Sequence, residues 1–97
     1  MALTRGEILA YDSNRMVLLF TMMDDHMKVS CAVTTAAMDD LEGATGTKPD
    51  KRQDQFVRLR DRIEERATQK YLAAEREGTP PGVVLRSLDF QHPRSVR

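Results

Sequence analysis

Chemistry in a protein needs nucleophiles, bases, metal ligands or clustered charge, and this sequence is sparing with them. Cys31 is the only thiol among 97 residues. A reactive cysteine needs exposure and a nearby cation or helix N-terminus to lower its pKa. In the alternating stretch Met27 to Thr34, Cys31 shares its parity with Val29 and Val33, so it faces a core and packs as an inert hydrophobe. His26 and His92 form no metal-ligand spacing with Cys31 or with each other. Asp24-Asp25 and Asp39-Asp40 are clustered carboxylates, but they lack the alternating oxygen ligands and the glycine of a calcium loop. No Ser-His-Asp arrangement can be assembled. The segment from Gly43 to Lys48 has a superficial likeness to a phosphate loop. A helical stretch precedes it, however, Thr47 stands where the glycine before the lysine belongs, and Pro49 removes an N–H. The expectation is a linker there, and a protein without catalysis, metal or cofactor.

Charge is the next resource. Arg58, Arg62, Arg66 and Lys70 recur every four residues and form a diagonal basic stripe on a helix. Such a stripe can track phosphates. Asp54, Asp61 and Glu65 lie three or four residues from its arginines, however, as ordinary helix-surface pairs do. No aromatic residue interleaves it for base stacking. Nucleic-acid binding is therefore the weaker of two functional readings. Arg60 differs from the stripe: it falls inside the apolar arc of the same helix, where a charge needs a partner or must snorkel. Glu64 is its local candidate partner, and Asp39 or Asp40 a tertiary one.

The stretch Arg15 to Met23 is apolar on both faces. Met16, Leu18, Phe20 and Met22 point one way; Val17, Leu19 and Met23 point the other, with Thr21. Both faces then need cover. Two helices, one on each side, would supply it; if the short one is too small, a partner covers the rest. The stronger functional reading follows: a small interaction or accessory protein that self-associates as a homodimer through its sheet. Val17, Leu19 and Met23 are the candidate contacts, and Arg58, Arg60, Arg62, Arg66 and Lys70 a second candidate surface.

These side chains need elements to hold them. The length fits one domain, residues 1–90, followed by a disordered tail from Gln91 to Arg97. Fifteen basic and fifteen acidic residues leave no net bias toward nucleic acid or membrane. Residues 1–47 nevertheless hold three basic and seven acidic side chains, so the N-terminal half is acidic. No apolar run approaches a membrane span, and a lone cysteine suits a reducing cytoplasm. Two strands, Arg15–Met23 and Met27–Thr34, make a hairpin with a three- or four-residue loop. Glu7 to Tyr11 is a short strand or an extended arm. Thr34 caps a short helix that Gly43 ends. The strongest signal is a long helix from Asp50 to Glu77: Phe56, Leu59, Ile63, Ala67, Tyr71 and Ala74 fill a ~120° arc. Gly78 and Pro80-Pro81 stop it, and Val83 to Leu88 is a last strand. The order β-β-α-α-β describes an α+β fold with a small antiparallel sheet, one short helix and one long helix.

Several of these patterns together resemble a known family. Tyr11-Asp12 precedes a strand with Val17 and Phe20. The next strand carries Val29, Cys31, Val33 and Thr34 and runs into Ala37-Met38. Phe56, Arg60, Ile63, Glu64 and Ala67 follow, and Val84, Leu88, Asp89 and Phe90 close the set. In order and spacing this is similar to a family of small bacterial proteins catalogued as domain of unknown function 1488. The resemblance spans roughly residues 11 to 90. It implies a compact α+β fold in a bacterial cytoplasm and brings no activity, cofactor or substrate.

Overall fold

The computed structural model describes residues 3–43, 47–77 and 82–90, with side chains up to residue 73 in the long helix. The tail from Gln91, the Gly78–Pro81 stop and the Ala74 side chain lie outside the described residues. Strands β1 (Thr4–Asp12), β2 (Val17–Asp24) and β3 (Met27–Thr34) come first. Helix α1 (Thr35–Glu42), a 3-10 turn at Pro49–Lys51 and helix α2 (Arg52–Glu77) follow. Strand β4 (Val83–Leu85) and the short helix α3 (Ser87–Phe90) complete the α+β fold.

The opening segment is a full strand rather than a short arm. It pairs antiparallel with β2 from Thr4↔Met23 to Asp12↔Val17. Its register shifts between Arg5 and Ile8 and again between Ile8 and Ala10. Such irregularities bend an edge strand, and Gly6 explains the first. A Cβ at Gly6 would sit 2.5 Å from both the carbonyl oxygen and Oγ1 of Thr21. Thr21 Oγ1 accepts a hydrogen bond from the Glu7 N–H at 2.9 Å, so a donor that the irregular ladder displaces is still satisfied. Asp12 then turns the chain, its Oδ1 accepting from the N–H groups of Asn14 and Arg15.

The β2–β3 hairpin is tighter than expected. Its ladder runs to Asp24↔Met27, leaving a two-residue loop, Asp25-His26. Asp25 supplies the left-handed backbone, φ 55°, that glycine would otherwise provide. Thr34 Oγ1 accepts from the Ala37 N–H and caps α1, and Gly43 ends that helix at φ 69°. Pro49 stands in the first turn of the 3-10 segment leading into α2.

The sheet is mixed rather than wholly antiparallel, in the order β1-β2-β3-β4. Because α1 and α2 carry the chain back across the sheet, β4 pairs parallel to β3, Cys31↔Val83 through Val33↔Leu85. The expected strand to Leu88 stops at Leu85. Beyond it, Asp89 Oδ2 accepts from the Arg86 N–H and closes residues 87–90 into a helical turn.

Both helices lie on the same face. Leu18, Phe20 and Met22 register against Val33, Cys31 and Val29, and Val83 and Leu85 continue these rows. All eight join one core with Ala37 and Met38 of α1 and with Phe56, Leu59, Ile63, Ala67 and Tyr71 of α2. The Phe20 and Phe56 rings meet at 4.9 Å, tilted by 46°. The expectation of one helix on each side is corrected: a single layer of helices covers one face of the sheet. Met16, expected on that face, is exposed in the turn before β2.

Candidate functional site

The second face of the sheet carries the alternate residues. Cross-strand neighbours there are Val17 and Thr34, Leu19 and Ala32, Thr21 and Ser30, and Met23 and Lys28. Val84 extends the row from Ala32, and Ala10 extends it from Leu19. Leu19 and Met23 are partly exposed and Val84 is 39% exposed, whereas Val17 is only 7% exposed. This face thus carries one apolar row, Ala10, Leu19, Ala32 and Val84, beside the polar pair Thr21 and Ser30, and Val17, Thr21 and Ala32 are themselves buried. Among the described residues, no helix packs over it.

The edges of the sheet are less open than its face. On β4, the Val84 carbonyl accepts from Lys70 Nζ at 2.7 Å. On β1, the Gly6 carbonyl accepts from Arg60 Nη2 at 3.1 Å, and the two register shifts break the regular ladder edge.

The basic stripe is largely paired with acidic groups of other elements. Arg58 Nε meets Glu42 Oε2 of α1 at 2.6 Å. Lys70 Nζ meets Asp89 Oδ2 at 3.0 Å, and Arg66 Nε donates to the Asp89 carbonyl. Arg62 has no hydrogen-bond or ion-pair partner among the described residues. The Arg58 guanidinium holds the Glu42 carboxyl below its ordinary range. Burial pushes the Asp89 carboxyl up, but the Arg86 N–H, Lys70 and Arg66 outweigh it and the net shift is downward.

Arg60 packs by its stem and pairs by its head. Its guanidinium carbon lies 5.7 Å from the Phe56 ring centroid, and Nε donates to Glu64 Oε2 at 2.9 Å. Glu64 is itself nearly buried and also receives Arg5 Nε at 2.9 and 3.1 Å. Arg5 Nη2 reaches Asp61 as well. One carboxylate thereby fastens β1 to α2. Asp39 is taken by Arg52 and Gln55 rather than by Arg60. Burial raises the Asp39 carboxyl, and Arg52, Gln55 and Thr47 together overcome it and lower it. Arg52 Nε is buried without a hydrogen-bond partner.

The other chemical candidates are held apart. Burial pushes the Cys31 thiol up to about 12, and the Glu64 charge adds to the rise. The Cys31 thiol donates to the Val29 carbonyl. His26 stays exposed in its turn. Asp24 Oδ2 accepts from the Tyr71 hydroxyl at 2.8 Å, which ties the end of α2 to the hairpin. Among the described residues, no three acid, histidine or cysteine side chains converge to hold a metal ion, and no helix is long and apolar enough to cross a membrane.

Sequence reasoning missed Arg5, Gln55 and Arg52 as network members and Asp89 as the anchor of the stripe. Gly6 within a strand pattern was the available signal for the irregular ladder. Nothing local marks Asp89 as that anchor, since its partners on the stripe are 19 and 23 residues away.

A family model described as "Protein of unknown function (DUF1488)" matches residues 6–80. The chain belongs to this DUF1488 family. A crystal structure of a protein of unknown function from the DUF1488 family, from Shewanella loihica PV-4, is similar in fold. It has a TM-score of 0.69 at 20% identity, covering 87% of this chain and 91% of that one. No curated protein matches the chain. Family membership agrees with the α+β architecture, and the family's description names no activity.

Proposed function

We propose that this chain is a non-catalytic cytoplasmic interaction or accessory protein that self-associates through the open face of its sheet. The observation that carries the reading is the placement of α1 and α2 on one side, which leaves Leu19, Met23, Ala32 and Val84 facing outward. The blocked β4 edge and irregular β1 edge favour face packing over strand addition. Strands ~4.8 Å apart, three of them ~26–30 Å long and β4 ~10 Å long, give a footprint of roughly 440 Å². A standard interface buries about 800 Å² per partner, so the dimer is expected to be modest, of micromolar rather than nanomolar strength. A lone, deeply buried thiol supports a reducing compartment. The pairing of Arg58, Arg66 and Lys70 weighs against the nucleic-acid reading, since their charge is already met by Glu42 and Asp89.

The test is molar mass by light scattering across a concentration series from micromolar to millimolar, with Leu19→Lys alongside. A parent that rises toward twice its monomer mass, and a variant that stays folded and monomeric, support the reading. A parent that remains monomeric throughout overturns it.

A further inference from the structure

Among the described basic side chains of α2, one lacks an acidic partner. Arg52, Arg58, Arg60, Arg66 and Lys70 each face an acidic side chain: Asp39, Glu42, Glu64 and, for the last two, Asp89. Arg62 does not. Asp40, the neighbour of Asp39, is likewise exposed, and its carboxylate has no partner among the described residues. Arg62 and Asp40 line the same open depression, about 480 Å³, between α1, α2 and α3. They do so without forming an ion pair with each other.

The other described residues lining it are Leu41, Phe90 and Ser87. Leu41 and Phe90 are partly buried and rest against the core, so they present fixed apolar surface. Ser87 adds a hydroxyl that can donate or accept. Among the described residues, the depression therefore offers one cation, one anion, one hydroxyl and an apolar floor. Its size lies in the range of small-ligand sites. A ligand with two negative charges would meet Asp40, and one with two positive charges would meet Arg62. Complementarity favours a net-neutral dipolar molecule with an apolar group.

We infer that this depression binds a free α-amino acid with an apolar side chain. Its carboxylate pairs with Arg62, its ammonium with Asp40, and its side chain lies on Leu41 and Phe90. Because both charged groups are solvent-exposed, each ion pair is screened, and binding is expected at millimolar concentration. The site is remote from the open sheet face and independent of self-association.

The experiment is a titration of the full chain, followed by amide chemical shifts, with L-leucine, N-acetyl-L-leucine and L-leucinamide. Leucine is expected to give saturable shifts confined to the neighbourhood of Asp40, Leu41, Arg62, Ser87 and Phe90. Acetylation removes the ammonium and amidation removes the carboxylate. Each is expected to weaken binding by about two- to fivefold, the worth of one solvent-exposed ion pair. Arg62→Gln and Asp40→Asn, both on the surface and so expected to fold, should each weaken leucine by a similar factor. Absence of saturable shifts with leucine up to tens of millimolar overturns the inference. Equal binding of leucine and N-acetyl-leucine also overturns it, because the site would then read a carboxylate alone, as at a polypeptide C-terminus. Leucine binding left intact in both variants would place the ligand elsewhere and overturn it too.

Discussion

Replacing Gly6 by alanine sets two effects of opposite sign against each other. Alanine restricts the unfolded chain and, in a compatible backbone, stabilises a protein by about 0.4–1 kcal/mol. At Gly6 the new methyl would sit 2.5 Å from the Thr21 carbonyl oxygen and 2.5 Å from Thr21 Oγ1. Reaching an ordinary 3.4 Å contact requires movement of about 0.9 Å. The carbonyl belongs to β2, which is paired on both sides, so the edge strand β1 must give way. That movement strains the Glu7 N–H bond to Thr21 and the Arg60 bond to the Gly6 carbonyl. Overpacking of this kind costs about 1–3 kcal/mol, so a net loss of about 1–2 kcal/mol remains after the unfolded-state gain. In a domain of this size the melting temperature falls by about 4–16 °C. Thermal unfolding followed by circular dichroism reads the shift. The double variant Gly6→Ala, Thr21→Ala removes the Oγ1 clash but not the carbonyl clash, so it should not regain the stability of Thr21→Ala alone. A Gly6→Ala protein that melts at or above the parent temperature would refute the reasoning and show that β1 follows a different path.

Other expectations are briefer. Arg60→Ala should destabilise by about 1–3 kcal/mol, the range for bonds to charged groups, and Arg60→Met should recover part of that through stem packing on Phe56; equal melting of parent and both variants would put Arg60 outside the fold's accounting. Cys31 should label slowly with a thiol reagent in native buffer and rapidly in denaturant, since its thiol is pushed up to about 12; rapid native labelling would mean that β3 opens. Asp12, Asp39, Glu42 and Asp89 all have carboxyls lowered in the folded state, from ordinary values of 3.8 for the aspartates and 4.5 for the glutamate. Their contribution is present above the unfolded values and is lost as pH falls through the folded ones. The melting temperature should thus fall below about pH 4, and Asp89→Asn should make that fall shallower; an acid profile identical in the variant would remove Asp89 from the account.

The long helix, the Thr34 cap and the Gly43 stop were legible because each has a local signature: period, cap residue or left-handed glycine. So was the inward parity of Val29, Cys31 and Val33. What was not legible depended on contacts between distant segments. Glu7 to Tyr11 reads as a short strand or an arm, and its extension back to Thr4 shows only once Thr21 is seen to accept the Glu7 N–H and Glu64 to hold Arg5. Asp25 took the place of a turn glycine, an option the composition of the loop did not announce. The two-faced apolar pattern of β2 is visible in the sequence, but periodicity carries no information on which side a helix will lie. The side of α1 was settled by the crossover to β4 and by Met38 joining the same core as Phe56. The basic stripe was legible as a stripe; its partners, Glu42 and Asp89, were not, because ion pairs across elements leave no spacing rule.

The parallel pairing of β4 also orders the birth of the molecule on the ribosome. Strands β1, β2 and β3 neighbour one another in sequence and can zip as soon as they emerge. The outer edge of β3 must wait: Val83 stands 52 positions after its partner Cys31. Throughout that interval the core row of β3 lacks Val83 and Leu85, and α2 lacks the Asp89 that receives Lys70 and Arg66. Closure comes with the last eight described residues, so a chain halted at the end of α2 would carry the contacts of both helices with β1, β2 and β3 and still display an unpaired edge on β3.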